Sequence, residues 1–163
     1  MTLFETINTI NAVALSQPNI NSVIKTGDVY DLNKDNFKQR YSAFCCTQNQ
    51  HTQIGTNLTY NFTFIYVDRL TADGKNKVEI QSTGIITLGN IIRTLEELEL
   101  LDAGETITYQ PFTERFEAEC AGVYCTIGIT TAVDSCADEY QEQIASLLGD
   151  VESDSSDEYF TYK

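Results

Sequence analysis

The sequence predicts an α+β fold, in which an antiparallel or mixed β-sheet carries two helices packed on one face. Two segments repeat apolar residues at the helical period, and two others alternate residues at the period of a strand. They occur in the order helix, strands, helix, strands, which favours helices collected on one side of a sheet. Hydrophobic residues make up 42% of the 163 residues, which is enough for one core.

The first helix is predicted close to the N-terminus. Thr2 and Glu5 have the spacing of a capping box, in which each side chain bonds the backbone of the other residue. The residues of the predicted apolar stripe are Leu3, Phe4, Ile7, Ile10, Val13 and Ala14. Pro18 ends the helix, because the residue before a proline is pushed out of the helical region.

Strands are predicted between the two helices, a short one at residues 27–30 and another at 41–47, followed by a polar connection at 48–53. The strongest strand signal is at 56–69. One face of that strand is fully apolar or aromatic, and consists of Leu58, Tyr60, Phe62, Phe64 and Tyr66. The other face begins polar and becomes apolar. At roughly 3.3 Å per residue the strand is about 45 Å long, so we expect an extended hairpin whose end projects from the domain.

The second helix is predicted at residues 76–100, after a turn at 72–74. Its predicted buried face consists of Val78, Ile85, Leu88, Ile91, Ile92, Leu95 and Leu98. Gly84 and Gly89 weaken a helix, and we interpret them as places where it packs closely on the sheet. Further strands are predicted at 106–110 and 123–133, and the segment 111–119 is ambiguous.

The last part of the chain differs in composition, which divides the protein into a folded domain at residues 1–133 and an acidic tail at 134–163. The net charge is −14, and residues 134–158 contain nine acids without Lys or Arg. Residues 1–133 carry fifteen acids against nine bases, so both parts repel a phosphate backbone. We expect the serine-rich and acidic stretch to be disordered when free. Tyr159, Phe160 and Tyr162 follow it and are candidates for docking on a partner, with a purely solvated tail as the alternative.

The composition favours a soluble protein made in a cytoplasm. No apolar run approaches the ~20 residues that span a bilayer, and no basic segment followed by an apolar one marks a signal peptide. The odd number of cysteines argues against a complete disulfide framework, and we expect five reduced thiols, which are Cys45, Cys46, Cys120, Cys125 and Cys136. Their spacing does not match a zinc knuckle, so we expect neither a metal nor a cofactor.

Catalytic motifs are lacking in the sequence. There is no phosphate-binding glycine loop, no nucleophile elbow and no metalloprotease helix. The one histidine, His51, lies in a polar connection and is interpreted as a surface or interface residue. The cluster Glu114, Glu117 and Glu119 could bind a cation, but a solvated or interface face is favoured. The aromatic face of the long strand lacks the basic surroundings of a base-stacking platform, so a core or subunit-interface face is favoured. We therefore expect a protein that is not an enzyme.

Four stretches resemble one family of virion proteins: residues 48–52 (QNQHT), 59–63 (TYNFT), 66–70 (YVDRL) and 112–123 (FTERFEAECAGV). Together they look like a tail-terminator or head–tail connector protein of tailed bacteriophages of gut Bacteroidales, including crAss-like phages. The resemblance covers about residues 1–133 and does not extend to the acidic tail.

This resemblance implies a tail-terminator-like fold and a hexameric or dodecameric ring in the virion neck, at the head–tail junction. It implies contacts with portal, adaptor or tail proteins and DNA that passes through the lumen without specific binding. The long hairpin would then reach a neighbouring subunit, which makes Tyr60, Phe62, Phe64 and His51 candidate interface residues. Acids expected to line the channel are Asp28, Asp31, Asp35, Glu114 and Glu117. An acidic adaptor or DNA-mimic inhibitor is the alternative function, and a ligand-binding or enzyme domain without a known motif is a third.

Overall fold

A computed structural model describes residues 1–25, 27–28, 41–102, 104, 106–115 and 119–132. The chain divides into a unit at Met1–Thr131 and a unit at Ala132–Lys163, and of the second only Ala132 belongs to the described residues. The elements of the first unit are α1 (Leu3–Leu15), β1 (Ser22–Ile24), β2 (Ala43–Gln48), β3 (Thr52–Ile54), β4 (Asn57–Arg69), α2 (Lys77–Glu97), β5 (Gln110–Arg115) and β6 (Glu119–Ala132). The predicted α+β class is confirmed.

The strands form one mixed six-stranded sheet in the order β1-β2-β4-β6-β5, with β3 also paired to β4. β1 runs parallel to β2, whereas β2 and β3 are antiparallel to β4, and β5 is antiparallel to β6. The Leu70 N–H donates to the Glu119 carbonyl, and the hydroxyls of Thr59 and Thr130 meet at 3.0 Å. These contacts join opposite ends of β4 and β6, so the two central strands are also antiparallel.

β2 and β3 pair with the same edge of β4, and a bulge separates β2 from β3. Ala43 pairs with Val67 and Gln48 with Phe62, whereas Thr52 pairs with Thr59. Three residues, 49–51, therefore lie opposite two residues, 60–61, which is the arrangement of a β-bulge. Sequence patterning missed β3, because the bulge interrupts the alternation of polar and apolar residues. The predicted polar connection at 48–53 is wrong at residue 48, which ends β2, and at residues 52–53, which belong to β3.

α1 begins with the predicted capping box. Thr2 Oγ1 accepts the Glu5 N–H at 3.3 Å, and Glu5 Oε2 accepts the Thr2 N–H at 2.8 Å. The pKa of the Glu5 carboxyl is lowered, chiefly by the hydrogen bond from the Thr2 backbone N–H and then by one with the Thr2 side chain. The predicted stripe is wrong at Phe4, whose side chain is 74% exposed. Thr6 is buried in its place, and its hydroxyl donates to the Thr2 carbonyl, which satisfies it inside the core.

The face of α2 that packs on the sheet is rotated from the predicted one. Its buried residues are Ile80, Gly84, Thr87, Leu88, Ile91, Ile92 and Leu95. The prediction is therefore wrong for Val78, Ile85 and Leu98, which are exposed. A Cβ at Gly84 would lie 2.8 Å from Tyr66 Cδ1, so the sheet and the helix meet closely there, as expected from the glycine. The helix ends at Glu97, before the predicted end at residue 100.

The main core lies between the helices and the sheet face that carries Tyr60, Phe62, Phe64 and Tyr66. β6 adds its predicted alternating set, which is Val123, Cys125, Ile127 and Ile129. A smaller buried cluster lies on the opposite sheet face, where β4 becomes apolar; its residues are Ile24, Ala43, Cys45, Val67 and Cys120.

Two short predicted strands are misplaced. Gly27 and Asp28 belong to no strand, and the strand of this region is β1, a few residues earlier; residues 29–30 lie outside the described residues. Of the strand predicted at 106–110 only Gln110 belongs to the sheet, because β5 begins there and continues into the ambiguous segment. Residues 134–163, predicted to be an acidic tail, lie outside the described part of the chain.

Candidate subunit interface

The aromatic residues assigned to an interface are enclosed within the chain. Phe62 and Phe64 have no exposed surface, and Tyr60 is 8% exposed. Phe64 meets Phe44 of β2 edge to face, with ring centroids 5.3 Å apart. The sequence left two alternatives for this aromatic face, a core or a subunit interface. Its packing within the chain accounts for it as a core. A neighbouring subunit at this hairpin would have to contact the exposed residues around it, which remains a prediction.

His51 occupies the bulge between β2 and β3. Its Nδ1 accepts the Asn61 N–H at 3.3 Å, so the side chain replaces the carbonyl that the bulge displaces from the ladder. The imidazole also packs against Tyr60 and Phe62, with ring centroids 5.3 and 6.1 Å away. His51 is half-buried and holds the hairpin together, and the exposed part of its ring is what it can offer to a partner.

The hairpin ends in an exposed tip, defined as Thr52 to Asn57. Every residue of the tip is exposed, and Ile54 leaves 78% of its surface open to solvent. Ile54 pairs with Asn57, so the loop is the dipeptide Gly55-Thr56, with Gly55 at a φ of 60°. Glycine at the first position of a two-residue loop is typical of a type II′ turn. That Gly-Thr pair between two strand patterns was the signal that could have revealed the tip.

The outer sheet face beside the hairpin is polar and internally bonded. Asn49 Nδ2 donates to Thr63 Oγ1 at 2.9 Å, and Asn61 Nδ2 donates to the Gln50 carbonyl at 2.8 Å. These side-chain bonds cross from one strand segment to the next, in addition to the backbone ladder. They fix the base of the hairpin, so the tip is presented on a rigid support.

A second candidate surface, which the sequence did not predict, lies on the outer side of α1. It is a groove of about 520 Å³ lined by Phe4, Ile7, Asn8, Asn11, Ala12, Leu15 and Lys25, and we call it the α1 groove. Phe4 and Leu15 are 74% and 52% exposed. The side-chain amide of Asn11 has a buried oxygen, Oδ1, with no hydrogen-bond partner, and no other buried side-chain nitrogen or oxygen in the described part of the chain shares this state. Helical periodicity alone does not reveal the groove, because it assigned Phe4 to the core.

A small polar pocket of about 190 Å³ lies where β4 meets the start of α2. Its lining residues are Tyr66, Asp68, Asn76, Glu79, Ile80 and Thr83. Burial raises the pKa of Asp68, although its Oδ1 accepts the Arg69 N–H at 2.7 Å. Asn76 joins the strand to the helix, since its amide donates to the Arg69 carbonyl at 3.1 Å and accepts the Thr71 N–H. These bonds indicate that the pocket is a structural junction between β4 and α2.

The thiols are core residues where the structure describes them. Cys45, Cys46, Cys120 and Cys125 are buried thiols, and Cys136 lies outside the described residues. Burial raises the pKa of Cys46 and that of Cys125 to about 12, so both stay protonated at neutral pH. The Cys120 thiol donates to the Tyr41 hydroxyl at 3.1 Å. No group of three potential metal ligands forms among the described residues.

Six of the predicted docking and channel residues belong to segments outside the described part of the chain. Tyr159, Phe160 and Tyr162 lie outside the described residues, as do Asp31, Asp35 and Glu117. Asp28 is exposed, and Glu114 is placed only through its backbone in β5, opposite Cys120; that these acids line a channel stays a prediction.

No protein-family model matches the sequence, and no curated protein matches it. Within the described ranges, neither helix combines the length and the apolar character that a membrane span requires.

Proposed function

We propose that this protein is a structural subunit of an oligomeric ring at the head–tail junction of a tailed bacteriophage, either a tail terminator or a neck ring protein. The observation that carries the proposal is the hairpin formed by β2, β3 and β4, which presents an exposed tip on a supported stem. Such a tip has no role in the chain's own core, since all residues from Thr52 to Asn57 are exposed. A solvent-exposed isoleucine at its end suits burial against another subunit.

A structural role rather than a catalytic one fits the way in which the reactive side chains are used. The histidine is occupied as a backbone acceptor in the bulge, and the described thiols are enclosed core residues. The acids supply a second argument, because a negative lumen lets DNA pass without the salt-sensitive contacts that Lys and Arg would make. The net charge of −14 is consistent with such a lumen.

The proposal is tested by the mass of the assembled full-length protein and by its place in the virion. Sedimentation and native mass spectrometry of the pure chain, alone and mixed with the portal and tail proteins encoded beside it, should give hexamers or dodecamers. Negative-stain images should then show rings with a central channel, and proteomics of purified particles should find the chain. A protein that stays monomeric in every mixture and is absent from the particles would refute the ring function.

A further inference from the structure

We propose that the α1 groove is the receptor for the hairpin tip of a second copy of this chain, so that the subunits join head to tail. The inference rests on the proposed ring function and adds to it the surface that the tip contacts. Three features of the molecule support it: the distribution of charge, the polar groups of the groove and the tip, and the exposed apolar residues on both surfaces.

Charge is unevenly distributed along the chain, and this restricts where copies can meet. With a net charge of −14, two copies repel each other over most of their surface. No Asp, Glu, Lys or Arg occurs from Thr6 to Ile24 or from Tyr41 to Val67. The first run supplies most of the α1 groove and the second supplies the whole tip. These are exposed surfaces on which two acidic chains can touch without opposing like charges.

The groove and the tip are also complementary in their polar groups. Asn11 Oδ1 is a buried acceptor without a donor, and leaving such an atom unpaired is unfavourable. The tip is rich in donors, because Thr52, Gln53, Thr56 and Asn57 carry hydroxyl or amide groups and all are exposed. Because the chain itself encloses this oxygen, a tip donor pairs with it only when the Asn11 side chain turns toward the groove, and docking of the tip then supplies the missing hydrogen bond.

The apolar part of the contact is provided by Ile54 and by the ends of the groove. Ile54 is the most exposed large hydrophobic residue of the tip, and Phe4 and Leu15 flank the groove with their side chains largely in solvent. The two residues lie about 16 Å apart along the axis of α1, so Ile54 packs against one end of the groove, and this contact removes apolar surface from water on both partners. Because tip and groove are different surfaces, the contact is heterologous, and repetition around an axis closes a ring.

The test uses three single substitutions in the full-length chain, each of which adds one negative charge. Ile54→Glu alters the tip, Ala12→Glu alters the exposed floor of the groove, and Ile86→Glu is the matched control at an isoleucine that is 58% exposed on α2. All three sites are exposed, so circular dichroism should show the same folded state in each variant. We expect the tip and groove variants to weaken self-association by about 100-fold or more, and the control to change it by less than about threefold.

Mixing the variants tests the head-to-tail arrangement. The tip variant keeps an intact groove and the groove variant keeps an intact tip, so the mixture should form one-to-one pairs and nothing larger. Asn11→Ala provides an independent readout: it should weaken assembly by roughly tenfold while leaving the thermal stability of the monomer unchanged or higher, since the unpaired oxygen is removed.

The outcomes separate the interface from the ring function. If the wild-type chain assembles and Ile54→Glu or Ala12→Glu assembles equally well, the groove is not the receptor, although the ring function stands. Pairing between two copies of the tip variant alone would likewise overturn the inference. If the wild-type chain stays monomeric at all concentrations and with its virion partners, both the inference and the ring function are wrong.

Discussion

Gly122 of β6 is expected to be intolerant of any side chain, because the neighbouring strand leaves no space for a Cβ. An ideal Cβ at this position would lie 2.1 Å from the Tyr66 carbonyl oxygen and 2.6 Å from Phe112 Cζ. The phenylalanine ring can move, but the carbonyl belongs to the central strand β4 and cannot move without disturbing the sheet. Overpacking of this kind costs about 1–3 kcal/mol, and each ladder hydrogen bond that is strained adds about 1 kcal/mol.

Gly122→Ala should therefore lower the free energy of unfolding by about 3 kcal/mol or more, which corresponds to a fall in Tm of roughly 10 °C. Gly128→Ala is the matched control on the same strand and sheet face. Its Cβ would lie 3.1 Å from Thr59 Cγ2 and 3.2 Å from Asn61 Oδ1, which are side-chain atoms that can shift. We expect this control to change the free energy of unfolding by less than about 1 kcal/mol.

Thermal and urea denaturation followed by circular dichroism provide the comparison. Adding Phe112→Leu to Gly122→Ala should recover only part of the lost stability, because the contact with the Tyr66 carbonyl remains. Equal melting temperatures for Gly122→Ala and Gly128→Ala would refute the reasoning, since the backbone contact would then not determine the cost. Full recovery in the double variant would instead assign the whole cost to the ring.

Three other substitutions test the bulge, the polar pocket and the first helix cap. His51→Ala should destabilise the fold by about 1–3 kcal/mol in urea denaturation, because the Asn61 N–H loses its acceptor, and an unchanged midpoint would argue that water replaces the imidazole. Burial raises the pKa of Asp68 above its ordinary 3.8, so the folded state disfavours the charged carboxylate and loses stability as pH rises through that raised value. Asp68→Asn should accordingly raise Tm at pH 7 and lose this advantage near pH 3, whereas an equal effect at both pH values would exclude titration as the cause. Thr2→Ala removes the side chain that accepts the Glu5 N–H and should cost about 0.5–2 kcal/mol by thermal denaturation, with Thr2→Ser as the control that keeps the cap.

Local sequence patterns were sufficient to predict those features that depend only on residues within the same helix or strand. The capping box at Thr2 and Glu5, and the alternation along β4 and β6, depend on neighbours within a few residues. The buried face of α2 could not be derived in this way, because isoleucines occur on several sides of the helix. That face is fixed by the Tyr66 ring, which requires a residue as small as Gly84 opposite it.

The candidate site was harder to predict than the fold, for a related reason. The sequence drew attention to Phe62 and Phe64, because large aromatic residues suit both cores and interfaces. Only their burial in the folded chain shows that they belong to the core and not to an interface. The exposed apolar residue of the hairpin is Ile54, which lies beyond the bulge. The α1 groove depends on which face of the helix packs on the sheet. The periodicity of α1 assigned Phe4 to the buried face, whereas the residue is exposed.

The position of β4 between β2 and β6 has a consequence during synthesis of the chain. β2 and β3 precede β4 by a two-residue turn, so that pairing closes a short loop at low entropic cost. The other neighbour arrives much later, since the Thr59–Thr130 contact joins residues separated by 71 positions. A nascent chain that has not reached Glu119 therefore carries β4 with one long edge of backbone groups unpaired. Such an edge is a template for pairing with other chains, so fragments that stop before β6 should aggregate rather than form a smaller stable domain.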